Sequence, residues 1–481
     1  MRVDTPQPSA GKDTTRMSDT APRGQPAVHC DGSTAILIGA TWFAGGALVI
    51  AAAITRPAQA VPAFAQQTGQ ACKSCHVGGF GPELTPFGRE FKIGGYTLRS
   101  KPSIPLAVMA IASFTHTQKD QQPPPEHLDA NDNLVLDQAS LFIAGGLGQH
   151  FGGFAQVTYD GIAKAWTWDN LDLRAVTKAK VFGKDAIFGL SVNNNPTVQD
   201  PWNTLPAWGF PFTDTSVSQT PAAGSLIDGA LAQNVMGLTA YAWLDHKVYL
   251  EAGGYSSPAA GTLRFLGADP ASPGSIHGTA PYARAAYQTK LLGGTFEAGA
   301  SVLKASLFPG RDRSSGFADR YTDIGLDTSW QKTLGKSDSL SFNLRYEHER
   351  ADLRASCALD LIGKGGDLGC GRYRLNEWRG AVRYTIHDRI GLTLSPFSIT
   401  GSRNPNVFGG NGSPDSNGLM GEVDYTLWPA SNSPLGPLVN ARVGVQYTVY
   451  GKFNGARHNF DGSGANAADN NALRVFTWVA F

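Results

Sequence analysis

From about residue 104 onward, apolar and polar residues alternate with a period of two. In "SLSFNLRYEHE", Leu340, Phe342, Leu344 and Tyr346 face one way, and Ser341, Asn343, Arg345 and Glu347 the other. In "LNEWRGAVRYTI", Trp378, Val382, Tyr384 and Ile386 oppose Glu377, Arg379, Arg383 and Thr385. In "LVNARVGVQYTVY", Val439, Ala441, Val443, Val445, Tyr447 and Val449 oppose Asn440, Arg442, Gln446 and Thr448. Successive strand residues point to opposite faces, so each segment reads as a strand with one oily and one charged face. A soluble sandwich also alternates. Here the segments run about ten residues or more, the length a tilted strand needs to cross a bilayer.

The connections support a membrane barrel. Short turns fall at "GLGQH", "FGKD", "LDHK", "LLGG" and "HDR". Long loops fall around 118–133, 195–232, 256–279, 305–319, 351–373, 402–416 and 451–471. Outer-membrane barrels show this asymmetry, with short periplasmic turns and long extracellular loops. About 16 segments can be counted, an even number as such barrels require. The fold expectation is therefore all-β: an antiparallel transmembrane β-barrel over 104–481, preceded by a short α-helical segment. The last stretch, "ALRVFTWVAF", sets Leu473, Val475, Thr477, Val479 and Phe481 on one face. It resembles the terminal strand read by the bacterial barrel-assembly machinery.

Arg2, Lys12, Arg16 and Arg23 precede an apolar run, "AILIGATWFAGGALVIAAAI" (35–54), and "AQA" at 58–60 offers small residues for cleavage. This reads as a signal peptide over 1–60, with the mature chain beginning near Val61. An uncleaved anchor is the alternative, and Met17 is a second candidate start. The destination is the outer membrane, with its lipid as a partner. Mean hydropathy of −0.19 fits no ordinary helical membrane protein, and a net charge of +1 gives no footprint for nucleic acid. Cleavage removes Cys30. In an oxidising compartment Cys357 and Cys370, in "CALDLIGKGGDLGC", form a disulfide by default.

Between signal and barrel lies "GQACKSCHVGGFGPELTPFGREFKIGGY" (69–96). Cys72, Cys75 and His76 form C-x-x-C-H, the attachment signature of a c-type haem. Two thiols bond the porphyrin and the imidazole reaches the iron. A redox dithiol needs a thioredoxin-like βαβ pattern, and a zinc site needs a second ligand pair; neither is found nearby. The expectation is one covalent haem c, held by Cys72 and Cys75, with His76 as proximal iron ligand. Thr85 can cap a helix that starts at Pro86 and stops at Gly94 or Gly95. Phe87 and Phe91, four apart, should lie on one face as a lid over the haem. Arg89 and Lys92 face either haem propionates or water. For the distal iron position Met109 is the candidate, on the luminal face of the first strand with Ser113 and Thr115. Met420, His116, His127 and His150 are the alternatives.

A signal, a single C-x-x-C-H, a PFGRxFK-type segment and a barrel of about 16 strands together resemble the fused monohaem cytochrome–porins of the bacterial outer membrane, known from iron-oxidising bacteria. The resemblance covers essentially the whole mature chain. It implies a haem segment over 61–103 that plugs the barrel from the periplasmic side. It implies a one-electron oxidoreductase, or a pure carrier, that takes electrons from extracellular Fe(II) and passes them to a periplasmic cytochrome or cupredoxin. An outward conduit to external acceptors, and a solute porin with an accessory haem, are the rival readings. Lys178, Lys247, Glu251, Asp323, Asp327, Arg345, Arg379, Arg383, Glu422, Asp424 and Arg442 should line the lumen. The loop "NNNPTVQDPWNTLPAWGFPF" (193–212) either folds over or into the pore, or lies exposed at the surface.

Overall fold

The computed structural model describes residues 63–99, 106–362, 367–429, 433 and 439–481. The chain divides into two units, Met1–Ala58 and Gln59–Phe481. The signal-peptide expectation and Cys30 lie outside the described residues.

The alternating segments form long antiparallel strands, from Leu106–Thr117 to Ala472–Ala480, in one sheet. Every long strand pairs with the long strands before and after it, and the first pairs with the last from Met109↔Ala480 to Thr117↔Ala472. The sheet is therefore a closed barrel of sixteen long strands, with one two-residue strand, Ser275–Ile276, appended at a rim. Closure leaves no open edge to strand backbone groups in lipid.

Burial is inverted relative to a soluble sandwich. On the Asn440–Lys452 strand Val443, Val445 and Tyr447 are 41–45% exposed, while Arg442 and Gln446 are 1% and 3% exposed. The same holds for exposed Trp378 and Val382 against buried Glu377 and Arg383. Oily residues face lipid and charges face the lumen. In the last strand Val475 and Thr477 face out, whereas Arg474, Phe476 and Trp478 face in.

The connections follow the expected asymmetry with two exceptions. Between Phe151–Asp160 and Ala165–Val181, the long-loop side has only a four-residue turn, with Asp160 Oδ1 accepting from Ile162 N and Ala163 N. On the short-turn side the connection after Thr426 is long, and part of it lies outside the described residues. Cys357 and Cys370 are disulfide-bonded in the 353–371 loop.

Two segments fill the lumen. Residues 63–99 form a plug of three short helices, Ala63–Thr68, Cys72–Cys75 and Pro86–Ile93. The plug lies at the short-turn end: Lys73 pairs with Asp388 at 3.0 Å, and Glu90 with His246 at 3.0 Å. From the long-loop end, the segment from Asn194 to Val235 folds inward, with Val198, Trp202, Leu205, Ile227 and Val235 at 3% exposure or less. The aromatic stretch 193–212 thus enters the pore.

The luminal expectation holds for most charges. Asp323, Asp327, Arg345, Arg383, Glu422, Asp424, Arg442 and Glu251 are buried inside the barrel. Lys247 is a correction: it sits in a turn after the strand ends and binds Asp245 at 3.0 Å. Lys178 keeps luminal parity but is exposed, because its strand runs past the filled lumen.

Candidate functional site

Cys72–Cys75 is a single helical turn, and His76 leaves it in an extended conformation. The chain then doubles back through Gly78 and Gly79, both at positive φ. Gly79 also packs against the wall connection so closely that a Cβ would lie 2.5 Å from Pro429 Cβ. The next helix starts as its sequence dictates. Thr85 Oγ1 accepts from Gly88 N, Pro86 takes the first turn, and Gly95 at φ +68 follows the end. Gly88 has a role the sequence reading missed. A Cβ there would lie 2.3 Å from Cys75 O, so only glycine lets this helix press onto the cysteine turn.

These pieces border a cavity of about 450 Å³ between plug and wall. That lies within the ~300–1,000 Å³ usual for small-molecule and cofactor sites. Cys72, Cys75 and His76 line it from the plug, and Met109 from the first strand. Met109 packs against Phe80, Ile111, Phe476 and Trp478. Phe64, Phe91 and Tyr96 form an aromatic wall, with Phe64–Phe91 centroids 5.0 Å apart. Trp208 and Phe212 of the inward segment close the outer side.

All three donors are held in their neutral forms. Cys72 and Cys75 are free thiols, and burial pushes Cys75 up to about 11. His76 is half-buried overall, yet its Nδ1 is shut from solvent without a well-formed hydrogen bond. Burial pulls the ring down to about 4, opposed by the Gly81 backbone. A neutral imidazole carries a free lone pair for a metal. Two thiols, one neutral imidazole and an apolar cavity of this size fit a covalently attached haem.

The other candidates separate cleanly. Met420 faces the lumen between Ser395 and Thr448, away from the cavity lining. His116 binds Asp132 at 2.7 Å, and His127 lies by Glu126 at 3.7 Å in an outer loop. His150 meets Val176 O at 2.9 Å beside a short turn. None of the three lines the cavity. Phe91 is 7% exposed and lines it, but Phe87 is 40% exposed and does not. Phe91 alone of the pair therefore reaches the cavity. Lys92 is buried, donating to Val198 O and Asn203 Oδ1 at 2.8 Å, and burial lowers it to about 7. Arg89 is 4% exposed, with Nε and Nη1 lacking partners. Neither cation simply faces water.

The plug is anchored through its carbonyls. Arg442 donates to Phe80 O at 2.9 Å, Asn440 to Gly79 O at 2.9 Å, Arg174 to Lys92 O at 3.0 Å and Tyr241 to Ile93 O at 2.6 Å. Tyr96 adds a side-chain bond to Asp172 at 2.7 Å.

No protein-family model matches the chain, and no curated protein matches it. Among solved structures, similarity is found to OprB of Pseudomonas putida, at 11% identity over 79% of this chain and 94% of that one, with a TM-score of 0.46. The anion-selective porin of Comamonas acidovorans shows 12% identity over 79% and 98%, with a TM-score of 0.44. A loop-deletion mutant of the Vibrio cholerae outer membrane protein OmpT shows 11% over 79% and 98%, with a TM-score of 0.41. The chain is a porin-like barrel of the outer-membrane type, as its own closed strand order and inverted burial require.

Proposed function

We propose that this protein is an outer-membrane electron-transfer barrel holding one haem c in the plug cavity. Cys72 and Cys75 would bond it, and His76 would be its proximal iron ligand. The observation that carries the reading is convergence: Cys72, Cys75, His76 and Met109 border the same cavity, which the motif alone did not require. Bound there, the haem supplies one-electron redox chemistry at a potential set by axial ligand and burial. The chain's residues do the rest. Phe64, Phe91 and Tyr96 keep water from the site, Gly88 seats the helix on Cys75, and the wall donors fix the plug. Trp208 and Phe212 lie between the cavity and the outer face.

A one-electron donor suits such a site, and extracellular Fe(II) is the donor proposed. A periplasmic cytochrome or cupredoxin is the acceptor, reached at the short-turn end. The protein acts as an oxidoreductase if Fe(II) is oxidised at it directly, and otherwise as a carrier. A solute porin with an accessory haem is the second reading, favoured by the porin-like barrel itself. Rapid mixing of oxidised, detergent-purified protein with Fe(II), followed at the haem absorption band, tests the first. Planar-bilayer recording tests the second. Reduction by Fe(II) without sustained ion conductance supports electron transfer; conductance with an inert haem supports the porin. Reduction only by a periplasmic donor, followed by loss to an external acceptor, supports the outward conduit. Met109→Ala is expected to shift the spectrum and lower the potential, since thioether ligation raises it. An unchanged spectrum removes Met109 as distal ligand.

A further inference from the structure

Phe87 is a large apolar residue left 40% exposed beside the haem motif, on the helix that presses on Cys75 through Gly88. Its helix binds a short turn through Glu90 and His246, so this face opens at the short-turn end. Around that opening stand exposed cations: Lys73 and Arg99 on the plug, and Lys178, Lys180 and Lys290 at strand ends. The three strand lysines have inward parity. Lys178 and Lys180 share a face with buried Asp172 and Arg174, and Lys290 shares one with buried Arg284. Cations meant for lipid headgroups belong on the outward face, where Lys184 and Lys332 stand. Lys73 is paired with Asp388 and Lys180 with Asp185, and Asp245 is held by Lys184 and Lys247, so Arg99, Lys178 and Lys290 are the cations of this rim with no ion pair among the described residues. At the opposite end one loop is acidic, 118–132, with Asp120, Glu126, Asp129 and Asp132 against Lys119.

We infer that this open plug face is the docking surface for a small, soluble one-electron carrier that presents an acidic patch. The inference rests on the haem reading for its purpose and on charge complementarity for its partner. A small apolar centre within a charged rim suits a weak, short-lived redox encounter, in which electrostatics set the association rate more than the affinity. Phe87 would supply the contact nearest the cysteine turn, and the inward lysines would steer the partner to it.

The test uses the detergent-purified full-length protein with three probes: an acidic blue-copper protein, a basic one of similar size, and phosphatidylglycerol vesicles. The acidic protein should associate selectively, with a rate constant that falls roughly tenfold or more as salt rises. The double substitution Lys178→Glu/Lys180→Glu should cut that rate by a comparable factor while the barrel stays heat-modifiable. Phe87→Ala should chiefly speed dissociation. Equal association of the basic protein, an unchanged rate after charge reversal, or binding of vesicles alone would overturn the inference. Association needs no haem, so a missing haem c spectrum would sink the cofactor reading without touching this result.

Discussion

The plug and the inward segment fill one lumen from opposite ends; the stem of the segment is held as the plug is, with wall side chains donating to Gln199 O and Thr213 O, but its tip is held in the opposite way. Along the plug, wall side chains donate to main-chain carbonyls at Gly79, Phe80, Lys92 and Ile93. At the tip of the inward segment, the wall accepts. Ser225 N donates to Glu377, Leu226 N to Glu349 at 2.7 Å and Ile227 N to Asp323 at 2.8 Å. Asp228 then reaches Arg345 at 3.0 Å and Arg379 at 3.4 Å. Asp323 lies directly across from Glu349, and Glu347 from Glu377. Like charges so placed repel. The successive N–H groups of the segment and two arginines offset that repulsion, so this part of the wall is built around the segment it holds. The plug, by contrast, is gripped by wall donors at its carbonyls and shares its cavity with wall residues such as Met109 and Trp478.

The largest expected effect falls on the plug alone. Cys72→Ala/Cys75→Ala should abolish covalent haem, read in the denatured protein's haem c spectrum, and leave a heat-modifiable barrel. A retained thioether spectrum would break the distinction between cargo and frame. Next, Glu349→Ala/Glu377→Ala should loosen the inward segment and spare the plug. Each buried N–H left without an acceptor costs about 1–3 kcal/mol. Protease cleavage within 194–235 on intact cells should rise, and unchanged resistance would mean the tip is held otherwise. A smaller effect is pH-dependent and joins the two regions. Lys92 of the plug grips Val198 O of the segment, and burial lowers it from 10.5 to about 7. Between those values the unfolded plug binds the extra proton, so its docking should strengthen as pH rises from about 7 toward 10.5 and stay flat below. Limited proteolysis across that range should show the trend, and Lys92→Met should flatten it. The smallest effect is Thr85→Ala, which removes a helix cap worth about 1 kcal/mol. Hydrogen exchange should quicken in Pro86–Ile93 and nowhere in the wall.

The wall was legible because period two is imposed on every strand by lipid outside and charge inside. The 440–449 and 375–386 segments already show which face is which. The cysteine turn, its capped helix and Met109's luminal face were equally readable, since spacing and parity are local. What sequence could not supply was depth. Phe87 and Phe91 share a helix face, but one turn displaces them by about 6 Å along the axis, enough to put one in the cavity and the other outside. Lys247 failed for another reason: it closes "LDHK", a stretch that itself reads as a turn, and was counted with the strand that begins after it. The Ser225–Ile227 latch left no trace, since it uses backbone N–H groups that almost every residue owns. Gly88 was quoted within a motif, but its contact with Cys75 is a tertiary fact.

The cavity lies against the joint between the first and last strands: Met109 and Ile111 come from one side of that joint, Trp478 and Ala480 from the other. The side of its wall formed by Asn440, Trp478 and Ala480 therefore does not join the rest until the final pairing forms. This turns a matter of shape into one of order in time. A bulky group joined to Cys72 and Cys75 would have to be in place on the open chain before the cylinder is sewn shut, and closing the seam would then both finish the barrel and seal that group in.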